Sequence, residues 1–233
     1  MKILAVDTAE QSCSLALVED GIPVCEEFYS SRKTHAVMLM DMVDHMIHKR
    51  AAISMDQIDG FAVARGPGSF TGLRIGISVV KALAYALSKP VAGISTLDGI
   101  AWQMSFSSLP VCVMMDAKRG EVYSAVYYFN RGTLEKKTEA LALSPEDASD
   151  MAGQNALFAG SGARVFKDVI KEHLGPGAVF APGFQNSISA AAIAEVLFKN
   201  PDLLSFDLSA ALPLYLRSSD AEINYKKYPH RFC

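Results

Sequence analysis

An excess of positive charge is missing from this chain: 22 lysines and arginines stand against 25 acids, a formal net charge of −3 over 233 residues. That balance excludes a protein that coats nucleic-acid phosphates unaided, and it puts most of any RNA contact on a partner. Cysteine is sparse. Cys13, Cys25, Cys112 and Cys233 have neither CxxC nor zinc-finger spacing, so they read as reduced thiols. No two histidines lie four apart; His45 and His48 are three apart beside Asp44 on a polar arc, which reads as a solvated face rather than a zinc site. The N-terminal apolar run ends at Asp7, too short for a signal peptide, and no run approaches the ~20 apolar residues of a membrane span. The expectation is a soluble cytoplasmic chain without membrane contact or bound metal. Half of its residues are hydrophobic, enough for a sizeable core in one large domain or two small ones.

What the chain does have is glycine, concentrated. Arg65-Gly66-Pro67-Gly68-Ser69-Phe70-Thr71-Gly72-Leu73-Arg74-Ile75-Gly76 lies between an apolar strand at 60–64 and a long apolar helix at 69–88. Such a loop lets its backbone approach something closely, and the helix start behind it offers free N–H groups and partial positive charge. Gly66, Gly68 and Ser69 are therefore phosphate-binding candidates. A tight turn that joins helix and strand backbones accounts for the same residues, and no Gly-Lys-Ser/Thr follows as a P-loop needs. Ser69 sits in Gly68-Ser69-Phe70, not in a nucleophile elbow.

The chain reads as one motif written twice. A strand ends on Asp7 and is followed by a hairpin pair; another ends on Asp116, 109 residues later, and is followed by a second pair. The strand, glycines and helix around Phe61–Gly68 are echoed by Leu157-Phe158-Ala159-Gly160-Ser161-Gly162 and the residues after it. Antiparallel strands followed by alternating helices and strands describe a mixed α/β sheet. The serine-rich stretch ending at Pro110 divides the two units, giving an N-terminal lobe over 1–107 and a C-terminal lobe over 108–233, with the tail from about 214 packing back on the first lobe. Asp7 and Asp116 could each hold a Mg²⁺-bound water or a nucleotide at a strand end, or simply cap a turn. Thr8-Ala9-Glu10-Gln11 and Ala117-Lys118-Arg119-Gly120 both make poor phosphate hairpins.

Two helices carry more apolar surface than one core face requires. Over 35–49, Met38, Leu39, Met42, Val43, Met46 and Ile47 fall on an arc of about 200° at 100° per residue, where roughly 100° or somewhat more suffices. Four of the ten methionines lie between 38 and 46, and methionine suits surfaces that adapt to partners. Over 69–88, Leu73, Val80 and their neighbours surround a narrow polar stripe, and Gly72 and Gly76 would admit another helix. Met38, Leu39, Met42, Met46, Gly72, Leu73, Gly76 and Val80 are thus expected to face a partner, unless both helices are sandwiched in the chain's own core. The basic-aromatic tail 224–233 reads either as a nucleic-acid contact or as a solvated terminus.

Together, Ile3-Leu4-Ala5-Val6-Asp7-Thr8-Ala9, the glycine loop, Ser95-Thr96-Leu97, Asp116-Ala117-Lys118-Arg119-Gly120-Glu121-Val122-Tyr123 and Leu214-Tyr215-Leu216-Arg217 resemble the bacterial TsaB (YeaZ) family over nearly the whole chain. The resemblance implies two tandem ribonuclease-H-like lobes of the actin/Hsp70/sugar-kinase (ASKHA) superfamily. It implies a non-catalytic scaffold in making N6-threonylcarbamoyladenosine at position 37 of tRNA, docked on a TsaD-type transferase. It further implies a TsaE-type ATPase partner, a homodimer in isolation, and tRNA contact through the complex. No cofactor of its own is implied, though ATP or ADP could sit at the partner joint. The His-x-x-x-His metal pair of the transferase is absent from this sequence. Two other readings stand beside this one. An ATPase or small-molecule kinase of the same superfamily suits the duplicated layout but not the poor phosphate hairpins. A glycoprotease-like metallopeptidase lacks a metal-binding set.

Overall fold

The computed structural model describes residues 1–30 and 35–217; the basic-aromatic tail and Cys233 lie outside the described residues. Strand β1 (Lys2–Asp7) is buried at every position after Lys2, which requires cover on both of its faces. It sits mid-sheet. The first half continues with β2 (Ser12–Glu19), β3 (Ile22–Ser30), α1 (His35–Asp44) running into a π-helical turn His45–Arg50, β4 (Gly60–Gly66), α2 (Phe70–Leu87), β5 (Val91–Ser95) and α3 (Thr96–Trp102). The sheet order is β3-β2-β1-β4-β5, with β1 antiparallel to β2 and parallel to β4. The second half has β6 (Val111–Lys118), β7 (Glu121–Asn130), β8 (Thr133–Lys137), β9 (Leu141–Leu143), α4 (Pro145–Ala152), β10 (Ala156–Ala159), α5 (Ser161–Val165), α6 (Lys167–Leu174), β11 (Ala178–Phe180) and α7 (Ala190–Lys199). Its sheet reads β11-β10-β6-β7-β8, with β9 also pairing β7. Antiparallel pairs flank β6 on one side and parallel pairs on the other, the same plan as around β1. The duplication expected from the sequence is present.

The side-chain period of two explains how the cores divide. Val111, Val113 and Met115 of β6 join one large cluster with β1, β4, α3 and α7, whereas Cys112 and Met114 face a second cluster with Ala148, Phe158 and Ile170. On the first sheet, α1 packs with α2 and α3 packs with α7. One pair covers each face of the buried strands. Helix α7 belongs to the second half in sequence but lies on β1 and β2, while α3 also reaches β6 and β7. The return to the first lobe therefore begins already at Ala190, and the tail from 214 packs there too, with the Leu214 amide on Arg65 O and Tyr215 on Phe70. Its anchor is Glu26: Oε1 accepts from Ser189 Oγ (2.7 Å) and from Ala191 N (3.2 Å) at the start of α7, where a carboxylate also meets the favourable end of the helix dipole.

Helix α2 starts where Ser69 Oγ accepts from Gly72 N (3.3 Å) and stops at left-handed Ser88 before Pro90. By length and composition it could cross a membrane; here Leu73, Ile77, Val80 and Ala84 are buried instead, and the helix packs on β4. The single helix expected after Gly162 is broken in two at Phe166 (φ −101°, ψ 20°). Helix α4 was not expected, although Ser144 caps Asp147 N and Pro145 opens its first turn, both start signals.

Candidate functional site

The glycine loop is filled by the protein itself. A methyl group at Gly68 would fall within 3.0 Å of Ala9 O, and one at Gly72 or Gly76 would strike Thr8. Thr8 Oγ1 donates to Gly72 O (2.8 Å), Ser69 N donates to Ala9 O (2.6 Å) and Gly66 N donates to Thr96 Oγ1 (3.1 Å). The loop after β1 thus lies flat on the first turns of α2, which only glycine permits. This corrects the phosphate reading of Gly66, Gly68 and Ser69. The amides of Gly66 and Ser69 already donate within the chain, and the hydroxyl of Ser69 caps α2. It also corrects the roles expected of Gly72 and Gly76, which admit the Thr8 loop and not a partner helix.

Asp7 and Asp116 occupy equivalent ends of the two sheets, with Glu10 electrostatically coupled to both. Asp7 is fully buried. Its Oδ1 accepts from Ala9 N (3.0 Å), and its Oδ2 has no hydrogen-bond partner among the described residues. Burial pushes its pKa up to about 8, against a weaker pull from the Ala9 amide. Near pH 7 it is a sealed, mostly protonated acid. Asp116 instead accepts from Lys118 N (2.8 Å) and pairs with Lys118 Nζ (2.6 Å). Between them Ser161 Oγ, at the start of α5, donates to Glu10 Oε1 and accepts from Asp116 N (3.1 Å). One hydroxyl thereby ties the first lobe to the second. Burial raises the pKa of Glu10, opposed by this hydrogen bond and by Arg164. Glu10, Ser161 and Glu26 were not singled out from the sequence; only the spacing of Glu10 three residues beyond a strand-end acid hinted at the first. Among the described residues no three His, Cys, Asp or Glu side chains converge as a metal centre would need.

Helices α1 and α2 consume most of their own apolar arcs. Leu39, Met42, Met46, Leu73 and Val80 are buried in the chain's core, so the expectation that they meet a partner is corrected. The two helices pack on each other and over the sheet, and that takes up the flank on which Met42 and Met46 lie. Met38 is half-buried and Met40 is exposed. What α2 leaves outward is Thr71, Arg74, Ile75, Ser78, Val79, Ala82, Tyr85 and Ala86. A shallow groove runs along its first half, lined by Phe70, Thr71, Arg74, Ile75, Ser78 and Val79. At the mouth of that groove Tyr215 stacks on Phe70 (4.6 Å between centroids, 26°), and the Arg74 guanidinium lies 3.9 Å over the same ring.

Two lobes of this plan, joined through crossed helices, define a two-lobed ASKHA-fold protein. The fold is shared with a putative N-acetylmannosamine kinase from Listeria monocytogenes (TM-score 0.52, 10% identity, 87% of this chain and all of that one). The structure of YeaZ from Pseudomonas aeruginosa is much nearer, with a TM-score of 0.76 and 28% identity over 92% of this chain and 99% of that one. The tRNA threonylcarbamoyladenosine biosynthesis protein TsaB of Escherichia coli is 33% identical, covering 98% of this chain and 99% of that protein. A family model described as TsaD, tRNA N6-adenosine threonylcarbamoyltransferase, matches residues 26–233. The chain belongs to the TsaB (YeaZ) family, within the wider group that this model describes.

Proposed function

We propose that this chain is a non-catalytic member of the machinery that makes N6-threonylcarbamoyladenosine in tRNA, and that it works by docking a TsaD-type transferase on the outward arc of α2, with Met40 of α1 alongside. The observation that carries the reading is the arc itself. Ile75 and Val79 are half-buried and Tyr85 is 79% exposed, and small residues between them let a helix approach. The sealed Asp7, the self-filled glycine loop and the absence of a converging metal set among the described residues support a scaffold over an enzyme. In isolation the same arc would pair two copies of the chain. A TsaE-type ATPase would join the complex, tRNA would be reached through the transferase, and ATP or ADP would sit at the joint between partners. Such a role places the protein in the cytoplasm.

The substitution Val79→Asp tests this. A charge in a dry interface costs several kcal/mol, so calorimetric docking to the transferase should weaken more than a hundredfold and tRNA modification by the mixture should fall with it. Thermal stability should fall somewhat, because Val79 is half-buried against the core, so folding is checked by circular dichroism before docking is measured. Full-affinity docking by a folded Val79→Asp protein would refute the assignment. Turnover of Mg·ATP by the isolated chain would argue for an enzyme.

A further inference from the structure

Four residues near the end of the described chain join three things. The Leu214 amide donates to Arg65 O (2.7 Å), and the Leu214 carbonyl fills the space left by Gly66, where φ is +118° and a methyl group would lie 2.5 Å from that oxygen. Tyr215 stacks on Phe70, and its hydroxyl accepts from Arg74 Nε (3.2 Å). Arg217 then crosses to the second lobe: Nη1 binds Glu121 Oε2 (2.7 Å) and Nη2 donates to Ala117 O (2.9 Å), both at the β6–β7 hairpin. Only Leu216 separates the last two anchors, and two extended residues reach about 7 Å at most. The link is short and bent at Leu216 and Arg217. A shift of the hairpin beyond what this bend can take up strains either the Tyr215–Phe70 stack or the Arg217 contacts.

Neither anchor is needed to hold the lobes together. Arg217 and Glu121 are 24% and 43% exposed, and a partly solvated ion pair contributes little to stability. The lobes are already joined by α7 on the first sheet and by Tyr127 donating to Asp98 (2.8 Å). What the segment does touch is the groove. Phe70 and Arg74 line its mouth, and both are held by Tyr215.

We propose that residues 214–217 are a strap that shapes the mouth of the α2 groove according to the position of the second lobe, so that docking strength follows the lobe arrangement. This rests on the docking reading of α2. The strap makes α2 and the β6–β7 hairpin two sites joined by a coupling energy. Residues that act through one strap should also be non-additive.

The test is a cycle of Arg217→Ala, Tyr215→Ala and the double variant, with Glu121→Gln as a milder second route to the same break. Two readouts are taken: docking affinity for the transferase, and amide exchange of Gly72, Leu73 and Leu214 in the isolated chain. Arg217→Ala should weaken docking about tenfold, with the double variant no worse than Tyr215→Ala, and exchange at the three amides should speed up in the absence of any partner. Wild-type docking by Arg217→Ala, while Val79→Asp abolishes docking, would overturn the strap. So would weakened docking with unchanged exchange, which would make Arg217 a direct contact. If Val79→Asp docks normally the docking reading falls, and the exchange of the isolated chain still decides whether the strap holds α2.

Discussion

Asp7 and Asp116 hold the same place in two sheets of the same plan, yet one is sealed under Thr8 and Ala9 and the other pairs with the exposed Lys118. The glycines differ in the same way. Gly160 and Gly162 of the second half make room for Met114 O on a neighbouring strand of their own sheet, whereas Gly66 to Gly76 make room for the Thr8 loop and for Leu214 from the far end of the chain. The helices that follow diverge most. Helix α2 is one 18-residue rod with Ile75 and Val79 toward the outside, while its counterpart is broken at Phe166 and exposes Arg164, Lys167, Asp168, Lys171 and Glu172. A duplicated scaffold has thus kept one framework and put it to two uses. The second half turns a charged surface to water, and the first half a mixed one in which Ile75 and Val79 are only half-covered.

The largest break in that symmetry concerns Asp7. Folded Asp7 keeps its proton to about pH 8, while the unfolded chain releases it from about pH 4. Between those values the folded state binds more protons, so stability falls as pH rises, by several kcal/mol across the window. Asp7→Asn should flatten the urea-melt stability profile from pH 5 to pH 8. Asp116→Asn should only remove an ion pair to the exposed Lys118, worth under about 1 kcal/mol. An unaltered profile in Asp7→Asn would show that the sealed acid is not what sets it.

Glycine substitutions sharpen the same contrast. Gly72→Ala drives a methyl into the Thr8 backbone, and about 3 kcal/mol should be lost. Gly162→Ala meets Met114 O at 2.9 Å, so a loss nearer 1 kcal/mol is expected. Equal losses in chemical denaturation would mean that the two loops are packed alike. The smallest effect is at the crossed helix. Ser189→Ala removes an oxygen that caps Ala192 N (3.2 Å) and binds Glu26, at about 1 kcal/mol, and the resulting fraying should appear as faster exchange at the first turn of α7.

Local chemistry made much of this readable from sequence. Ser69 and Pro90 marked the ends of α2 to within a residue, and the Asp7 and Asp116 strands announced the duplication. The width of an apolar arc says how much of a helix is covered but not by what. The same arc that holds Met42 and Met46 would look identical under a partner or under α2, and here the chain covers it. Contacts across 96 residues, as between Arg217 and Glu121, leave no periodic trace at all. The joint made by Ser161 and Glu10, 151 residues apart, was invisible for the same reason. Helix α4 carries start signals at Ser144 and Pro145, but its eight residues barely establish a period.

Hydrogen exchange of this chain with and without the transferase tests the central claim most directly, because both halves are read in one experiment. The account predicts strong added protection over Phe70–Leu87, with Lys167–Leu174 unchanged. Protection that appears on the second half while α2 exchanges as before would contradict it.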